Sequence, residues 1–189
     1  MAQRTKTTDK QAKTSVYGAA PSVKPQRSHT LAILVDNEPG VLGRVIGLFS
    51  GRGYNIESLT VAETDDSKHL SRITIVSSGT EHVIEQIKNS LERMVPVHKV
   101  SDLTVEGPHV ERELALVKVV GKKEKRIEAL QLADVFRARI LDSTLESFIF
   151  ELTGTSEKID AFIDLMKPLG LLETSRTGVV AISRGKESI

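Results

Sequence analysis

The residues best suited to do chemistry lie in one short run, Asp36-Asn37-Glu38-Pro39-Gly40, between an apolar stretch and an amphipathic one. Asp36 and Asn37 are types that cap helix N-termini, and Pro39 suits a first helical turn. Gly40 has no side chain to cover the helix start. Such a terminus offers free N–H groups and the positive end of the helix dipole, which suits a carboxylate or a phosphate. By spacing alone, however, a glycine that merely lets a loop turn into a helix is the favoured interpretation.

The flanking patterns predict the elements that position this helix start. Apolar residues at helical spacing predict a helix over 40–52, which Gly53 is expected to end in a left-handed conformation. Ser78 and Glu81 suggest a capping box, and Asp65-Asp66-Ser67 a hairpin turn. Strands are predicted at 30–35, 56–63, 70–76 and 95–103, with a second helix over 80–94. The resulting order, βαββαβ, is the ferredoxin-like arrangement.

The same order is predicted again after the break at Gly107-Pro108. Strands are expected at 114–120, 138–141 and 145–152, helices at 124–136 and 156–167, and one last strand within 171–182. The predicted fold class is therefore α+β, with two ferredoxin-like domains at 29–106 and 109–185. Residues 1–28 lack hydrophobic periodicity and are predicted to be a disordered basic leader.

The third predicted strand raises the question of what covers the sheet. Ile73 and Ile75 are expected to face the helices, because side chains alternate along a strand. Arg72 and Thr74 then point to the opposite face. That face is either covered by another protein or carries an ordinary solvent-facing polar alternation, and both interpretations stay open here.

Composition argues against several classes of function. The chain has 26 basic and 25 acidic residues, of which six basic residues and one acid lie in 1–28. The remaining body is mildly acidic, and the strand at 70–76 has no aromatic residue on which a base could stack, so a nucleic-acid module is disfavoured. No apolar run approaches the ~20 residues of a membrane span.

Metal and enzyme chemistry also find no support in the sequence. There is no cysteine, and the five histidines lack metal spacing, so each is expected to be a surface or boundary residue. No cluster of polar groups suited to acid–base or nucleophilic work is visible, which disfavours a stand-alone enzyme. A cytoplasmic location is expected, with an organelle as the alternative if residues 1–28 are a transit peptide.

Three consecutive runs, at 37–42, 44–49 and 52–59, closely resemble the ACT domain of the regulatory small subunits of acetolactate synthase (acetohydroxyacid synthase). The runs at 109–113, 154–156, 176–178 and 183–185 support the resemblance, which covers roughly 29–185. It implies that the N-terminal domain is an ACT domain. The length of the match disfavours an ACT regulator of a different amino-acid pathway.

The resemblance also implies a role, a ligand and partners. It implies a homodimer without a catalytic site of its own, which binds and activates the large subunit and confers inhibition by valine. Valine would bind where two ACT domains meet, on Asn37 and the backbone around Gly40, Val41 and Leu42, with Asn55 and Ile56 of the facing subunit. No cofactor is expected on this chain, whereas the large subunit is expected to carry thiamine diphosphate, Mg²⁺ and FAD.

Overall fold

A computed structural model describes residues 26–65, 69–186 and 189. Its first half is a four-stranded antiparallel sheet in the order β2-β3-β1-β4, with two helices on one face. The elements are β1 Arg27–Asp36, α1 Val41–Arg52, β2 Ser58–Asp65, β3 Leu70–Gly79, α2 Glu81–Glu92 and β4 Val97–Asp102. The predicted βαββαβ order is confirmed. The turn residues Asp66 and Ser67 and residues 1–25 of the predicted leader lie outside the described residues. Residues 27 and 28 belong to β1, so the predicted end of the leader at residue 28 is wrong.

The core of this half forms where the helices meet the sheet. Ile73 and Ile75 are buried, as their alternation along β3 predicted, and they share a cluster with Val45 and Phe49 of α1. From α2, the side chains at helical spacing, Ile84, Ile87 and Leu91, complete the cluster. Burying these side chains stabilises the fold by about 1.5–3 kcal/mol each.

The second half repeats the plan in a sheet with the order β6-β7-β5-β8. A short helix, α3 Leu103–Glu106, leads into it. The elements that follow are β5 His109–Val120, α4 Glu124–Phe136, β6 Arg139–Ser143, β7 Ser147–Gly154, α5 Ser156–Gly170, β8 Leu171–Arg176 and β9 Val180–Ser183. Phe148, Phe150 and Phe162 are buried at its centre. The predicted α+β class with two ferredoxin-like units is confirmed.

The C-terminal segment departs from the prediction of one strand within 171–182. Two strands form there, because Gly178 has a positive φ of 83° and turns the chain between them. β8 pairs with the second half of β5, whereas β9 pairs with its first four residues, His109–Arg112. The predicted strand at 95–103 is also shorter, since the chain enters α3 at Leu103.

The outer face of the first sheet is covered by the chain itself. Arg72 and Thr74 do point away from the helices, but Thr74 is only 3% exposed. Arg72 donates from Nη2 to the carbonyl of Ala181 on β9 at 2.7 Å. Val179 and Ala181 pack with Ala32 on this face. Both earlier interpretations, a second protein and open solvent, are therefore wrong for this central part of the face.

The start of α2 differs from the predicted capping box. Thr80 is the N-cap residue, and its hydroxyl accepts the N–H of Val83 at 3.4 Å. Ser78 cannot take this role because it still belongs to β3, which extends through Gly79. The capping-box prediction was therefore wrong by two residues.

The two candidate caps can be separated by substitution. Thr80→Ala should lower the free energy of unfolding by about 1 kcal/mol, because an N–H of the first turn loses its acceptor. Ser78→Ala, the matched control, should change it by about 0.5 kcal/mol or less. Urea unfolding of the two variants measures the difference. A larger loss for Ser78→Ala would contradict the assignment of the cap.

Candidate functional site

The predicted helix start is open, and its backbone geometry is set by Gly40. α1 begins at Val41, after Gly40 in a left-handed conformation with φ of 86°, and no side chain caps it. A Cβ placed on Gly40 would meet no atom within 4 Å. Asn37 and Pro39 are exposed beside it. The start of α1 is thus accessible to a small anion.

The two predicted capping residues do not cap, and the structure shows why. The carboxylate of Asp36 lies 2.6 Å from Nε2 of His98, so it is engaged on β4. The backbone N–H of Asp36 bonds to the carbonyl of Pro96 at 2.9 Å, and that of Asn37 to His69 at 2.7 Å. Pro39 lies in the turn before α1 rather than in its first turn. The loop is held by its backbone on both sides, while the Asn37 side chain stays exposed.

The next two residues of the predicted site point in different directions. Val41 is 2% exposed and belongs to the core, so only its backbone could face a ligand. Leu42 is 37% exposed and lies on the surface of the first turn. An apolar ligand side chain at the helix start would therefore meet Leu42 rather than Val41.

Asn55 and Ile56 follow the other end of α1. Gly53 ends the helix with φ of 69°, as predicted, and the N–H of Tyr54 bonds back to the carbonyl of Phe49 at 2.9 Å. Asn55 is exposed, and its carbonyl accepts the hydroxyl of Ser77 at 2.6 Å. Ile56 is half-buried and packs on the core.

The structure does not bring the two predicted groups together within one chain. A 12-residue helix separates them by roughly 18 Å. The sheet gives a similar separation. Ser77, which holds Asn55, pairs with His29 at the end of β1 away from Asp36. A site that uses both groups therefore needs a second copy of the chain.

A contact between the two halves lies next to Asn55 and Ile56. We call residues 177–183 the C-terminal strap. The N–H of Val179 donates to the Ser58 hydroxyl at 2.7 Å, and the Thr60 hydroxyl donates to the carbonyl of Val179 at 2.9 Å. These bonds fasten the strap to β2, which begins at Ser58.

An ion-pair network holds the chain just before the strap. Arg176 bonds both carboxylate oxygens of Glu113, through Nε at 2.7 Å and Nη2 at 2.6 Å, and reaches Asp160 on α5 at 2.6 Å. The Glu113 side chain is only 4% exposed. The Arg176 guanidinium, through these hydrogen bonds, holds the pKa of Glu113 below its usual range, although burial opposes the shift. Glu113 raises the pKa of Arg176 in return.

The same region contains a cleft of about 740 Å³ between the two halves. Its charged lining is mostly acidic, with Glu57, Glu111 and Glu157 beside the paired Glu113. Arg176, the cation there, is already neutralised by Glu113 and Asp160. The cleft is therefore a poor place for the carboxylate of an amino acid, in contrast to the helix start.

Sequence reasoning was wrong about one histidine. His29 was expected at the surface, but it is 3% exposed, and its Nδ1 lies 2.7 Å from the Asp102 carboxylate. The signal in the sequence for the burial of His29 was its position on the inward-facing side of β1. In the described part of the chain, no group of three or more histidine or acidic residues is arranged to hold a metal ion. Nor does any helix there have the length and apolar character to cross a membrane.

The fold defines an ACT-type domain joined to a second ferredoxin-like domain. Comparison with known proteins supports this class. Residues 31–99 match the family described as the AHAS small subunit-like ACT domain, and residues 112–185 match the small subunit of acetolactate synthase.

Individual relatives agree over nearly their whole length. The chain is 50% identical over 159 residues to a probable acetolactate synthase small subunit of Archaeoglobus fulgidus, covering 84% of this chain and 98% of the relative. It is 48% identical to the acetolactate synthase small subunit of Haemophilus influenzae, covering 84% and 97%.

Solved structures include a chain with the same fold. The acetolactate synthase small subunit of Thermotoga maritima superposes with a TM-score of 0.77 at 40% identity, covering 85% of this chain and 99% of that one. The chain belongs to the acetolactate synthase small-subunit family.

Proposed function

We propose that this chain is a regulatory subunit that binds and activates the catalytic large subunit of acetolactate synthase. It confers feedback inhibition by valine in the biosynthesis of valine, leucine and isoleucine. The observation that carries the proposal is the uncapped start of α1 in an ACT domain of this family, where Gly40 leaves the helix end open. Such a start fits a ligand with a carboxylate.

Each predicted site residue has a chemical task in this proposal. The N–H groups of the first turn of α1 hold the valine carboxylate, whose charge the helix dipole favours. The N–H of Val41 also makes a long bond to the carbonyl of Glu38, at 3.3 Å. The Asn37 amide offers two donors and one acceptor, which suits a zwitterion. Leu42 and, from the facing subunit, Ile56 form the small apolar wall, and Asn55 of that subunit completes the polar side. Val41 contributes its backbone only, because its side chain lies in the core.

The distance between the two residue groups predicts the oligomeric state. We expect a homodimer, because Asn37 and Gly40 meet Asn55 and Ile56 only across two copies. The centre of the outer face of the first sheet is covered by the strap, so the sheet edges are the more open surfaces for pairing. β2 and β4 are these edge strands, and edge strands present unpaired backbone groups.

Light scattering tests this assembly. The purified chain should have the mass of a dimer at micromolar concentration with valine present. A monomer under these conditions would contradict the shared site.

The chemistry itself belongs to the partner in this proposal. The large subunit carries thiamine diphosphate, Mg²⁺ and FAD, and this chain holds none of them. Purified alone, the chain should form no acetolactate from pyruvate, and adding it should raise the rate of the large subunit. Acetolactate formation with each subunit alone and with both measures this. Turnover by the isolated chain would refute the assignment.

A further inference from the structure

The C-terminal strap contacts the first domain directly after residues of the proposed effector site. Ser58, which accepts the N–H of Val179, is two residues beyond Ile56. Thr60 bonds the carbonyl of the same residue. A displacement of residues 55 and 56 on ligand binding would therefore reach the strap through a continuous piece of backbone.

The strap lies close against β2 at Gly178. A Cβ there would lie 2.7 Å from Oγ of Ser58 and 3.2 Å from Cγ2 of Thr60. Its φ of 83° is also a conformation that residues with side chains rarely adopt. Close contact of this kind transmits small shifts, because packed interiors resist compression.

The other end of the strap belongs to the second domain. The N–H of Thr177 bonds to the carbonyl of Leu114 at 3.0 Å, and the N–H of Leu114 bonds to the Thr177 hydroxyl at 3.1 Å. β9 pairs with β5 at His109–Arg112. Because β5 is also an inner strand of the second sheet, the strap ties β2 to the centre of that domain.

The covalent link between the domains lies elsewhere. α3 follows β4, at the opposite edge of the first sheet from β2. A signal that begins beside β2 therefore has a shorter route through the strap than through the chain connection.

We propose that the C-terminal strap, hydrogen-bonded to Ser58 and Thr60, transmits the effect of ligand binding from the ACT domain to the second domain. The strap thereby sets how strongly valine inhibits the holoenzyme. The inference rests on the proposed function and names the element that couples its two parts. Breaking these hydrogen bonds should weaken inhibition without weakening valine binding, since allostery is a coupling between two sites rather than a property of one.

Gly178→Ala is the primary test, because its added Cβ forces the strap or the Ser58 side chain to move and so disturbs the bond between them. Gly185→Ala is its matched control, since Gly185 also has a positive φ, 93°, but a Cβ there meets no atom within 4 Å. In the reconstituted holoenzyme, Gly178→Ala should reduce the ratio of uninhibited to valine-saturated rates by roughly fivefold, while Gly185→Ala leaves it within about twofold of the unaltered chain.

Valine affinity is measured by calorimetry on the full chain without the large subunit, so that coupling to catalysis does not alter it. Affinity within about twofold of the unaltered chain, together with weak inhibition, supports the proposal. Full inhibition by Gly178→Ala overturns it. Loss of affinity in parallel with loss of inhibition also overturns it, because the strap would then only shape the binding site.

Thr60→Val supplies a second variant that keeps the size of the side chain and removes the donor to the strap. It should behave as Gly178→Ala does, with a smaller effect, and it keeps the proposal testable if Gly178→Ala does not fold. An unaltered response in Thr60→Val, in that case, overturns the proposal. If the unaltered chain neither binds valine nor inhibits, the proposed function itself fails before any variant is compared.

Amide hydrogen exchange measures the response of the strap to valine without the large subunit. Valine should change the exchange of the Val179 N–H, which is bonded to the Ser58 hydroxyl. The Ser147 N–H, bonded to the Thr144 hydroxyl at 2.9 Å in the second domain, is the control and should not change. Exchange of Val179 that is the same with and without bound valine would contradict coupling through the strap.

Discussion

Gly40→Asp should yield a holoenzyme that is fully active but no longer responds to valine. A carboxylate at position 40 places like charge where the ligand carboxylate is expected, and it fills space that is open in the structure. Aspartate tolerates left-handed backbone better than most residues, so the positive φ of Gly40 should not prevent folding. Calorimetry with valine and rate measurements on the holoenzyme test binding and activation separately.

Asn37→Ala probes the same site without adding charge. A hydrogen bond to a charged group contributes about 1.5–3 kcal/mol, and ~1.4 kcal/mol corresponds to a decade in affinity. Valine should therefore bind roughly tenfold to hundredfold more weakly, while activation of the large subunit persists. Asn37 is exposed, so its removal leaves the core intact.

Gly47→Asp is the control for the added charge, because Gly47 is exposed on α1 and equally free of neighbours. It should keep the valine response. Unaltered valine affinity in Gly40→Asp would show that the ligand binds elsewhere. If Gly40→Asp abolished activation together with inhibition, the helix start would serve the subunit interface or the fold instead.

The second large effect concerns stability. Arg176→Met should lower the free energy of unfolding at neutral pH by about 3 kcal/mol, because it leaves the buried Glu113 carboxylate without its main partner. This is the lower end of the range for a broken buried pair, since the Arg176 side chain is 34% exposed. Lys118→Met is the matched control. Its partner Glu173 is 67% exposed, so the loss should be below about 1 kcal/mol.

The effect of Arg176→Met should depend on pH in a defined direction. Because the pKa of Glu113 is lowered in the folded chain, its contribution is fully present above the ordinary glutamate pKa of about 4.3. It is lost as the pH falls through the lower folded-state value. Urea unfolding should therefore show that the difference in free energy of unfolding between the variant and the unaltered chain becomes smaller below about pH 4. If this difference in free energy of unfolding were equal at neutral and acidic pH, the stability would come from packing rather than from the ion pair.

Local pattern was enough to predict most elements of the fold. α4 begins and ends at the predicted residues, and Gly53 ends α1 in a left-handed conformation. The strap could not be predicted in the same way. β9 has only four residues, and the bonds that link Val179, just before it, to Ser58 and Thr60 join positions 121 and 119 residues apart. Contacts over such separations leave no periodic signal in one sequence.

The residues of the candidate site were proposed from the sequence, whereas their individual contacts were not predictable. The glycine at the helix start and the residues after Gly53 were visible in the sequence. The resemblance already implied that the two groups come from two subunits, and their separation along α1 in the structure agrees with that expectation. Asp36 was misassigned as a cap type because its partner, His98, is 62 residues away.

The measurement that tests the central proposal most directly is a valine titration of acetolactate formation by the large subunit, with and without this chain. If the chain is the regulator, valine should inhibit the reconstituted holoenzyme in a saturable manner and leave the large subunit alone unaffected. Inhibition of the same strength without this chain, or none in its presence, would contradict the account.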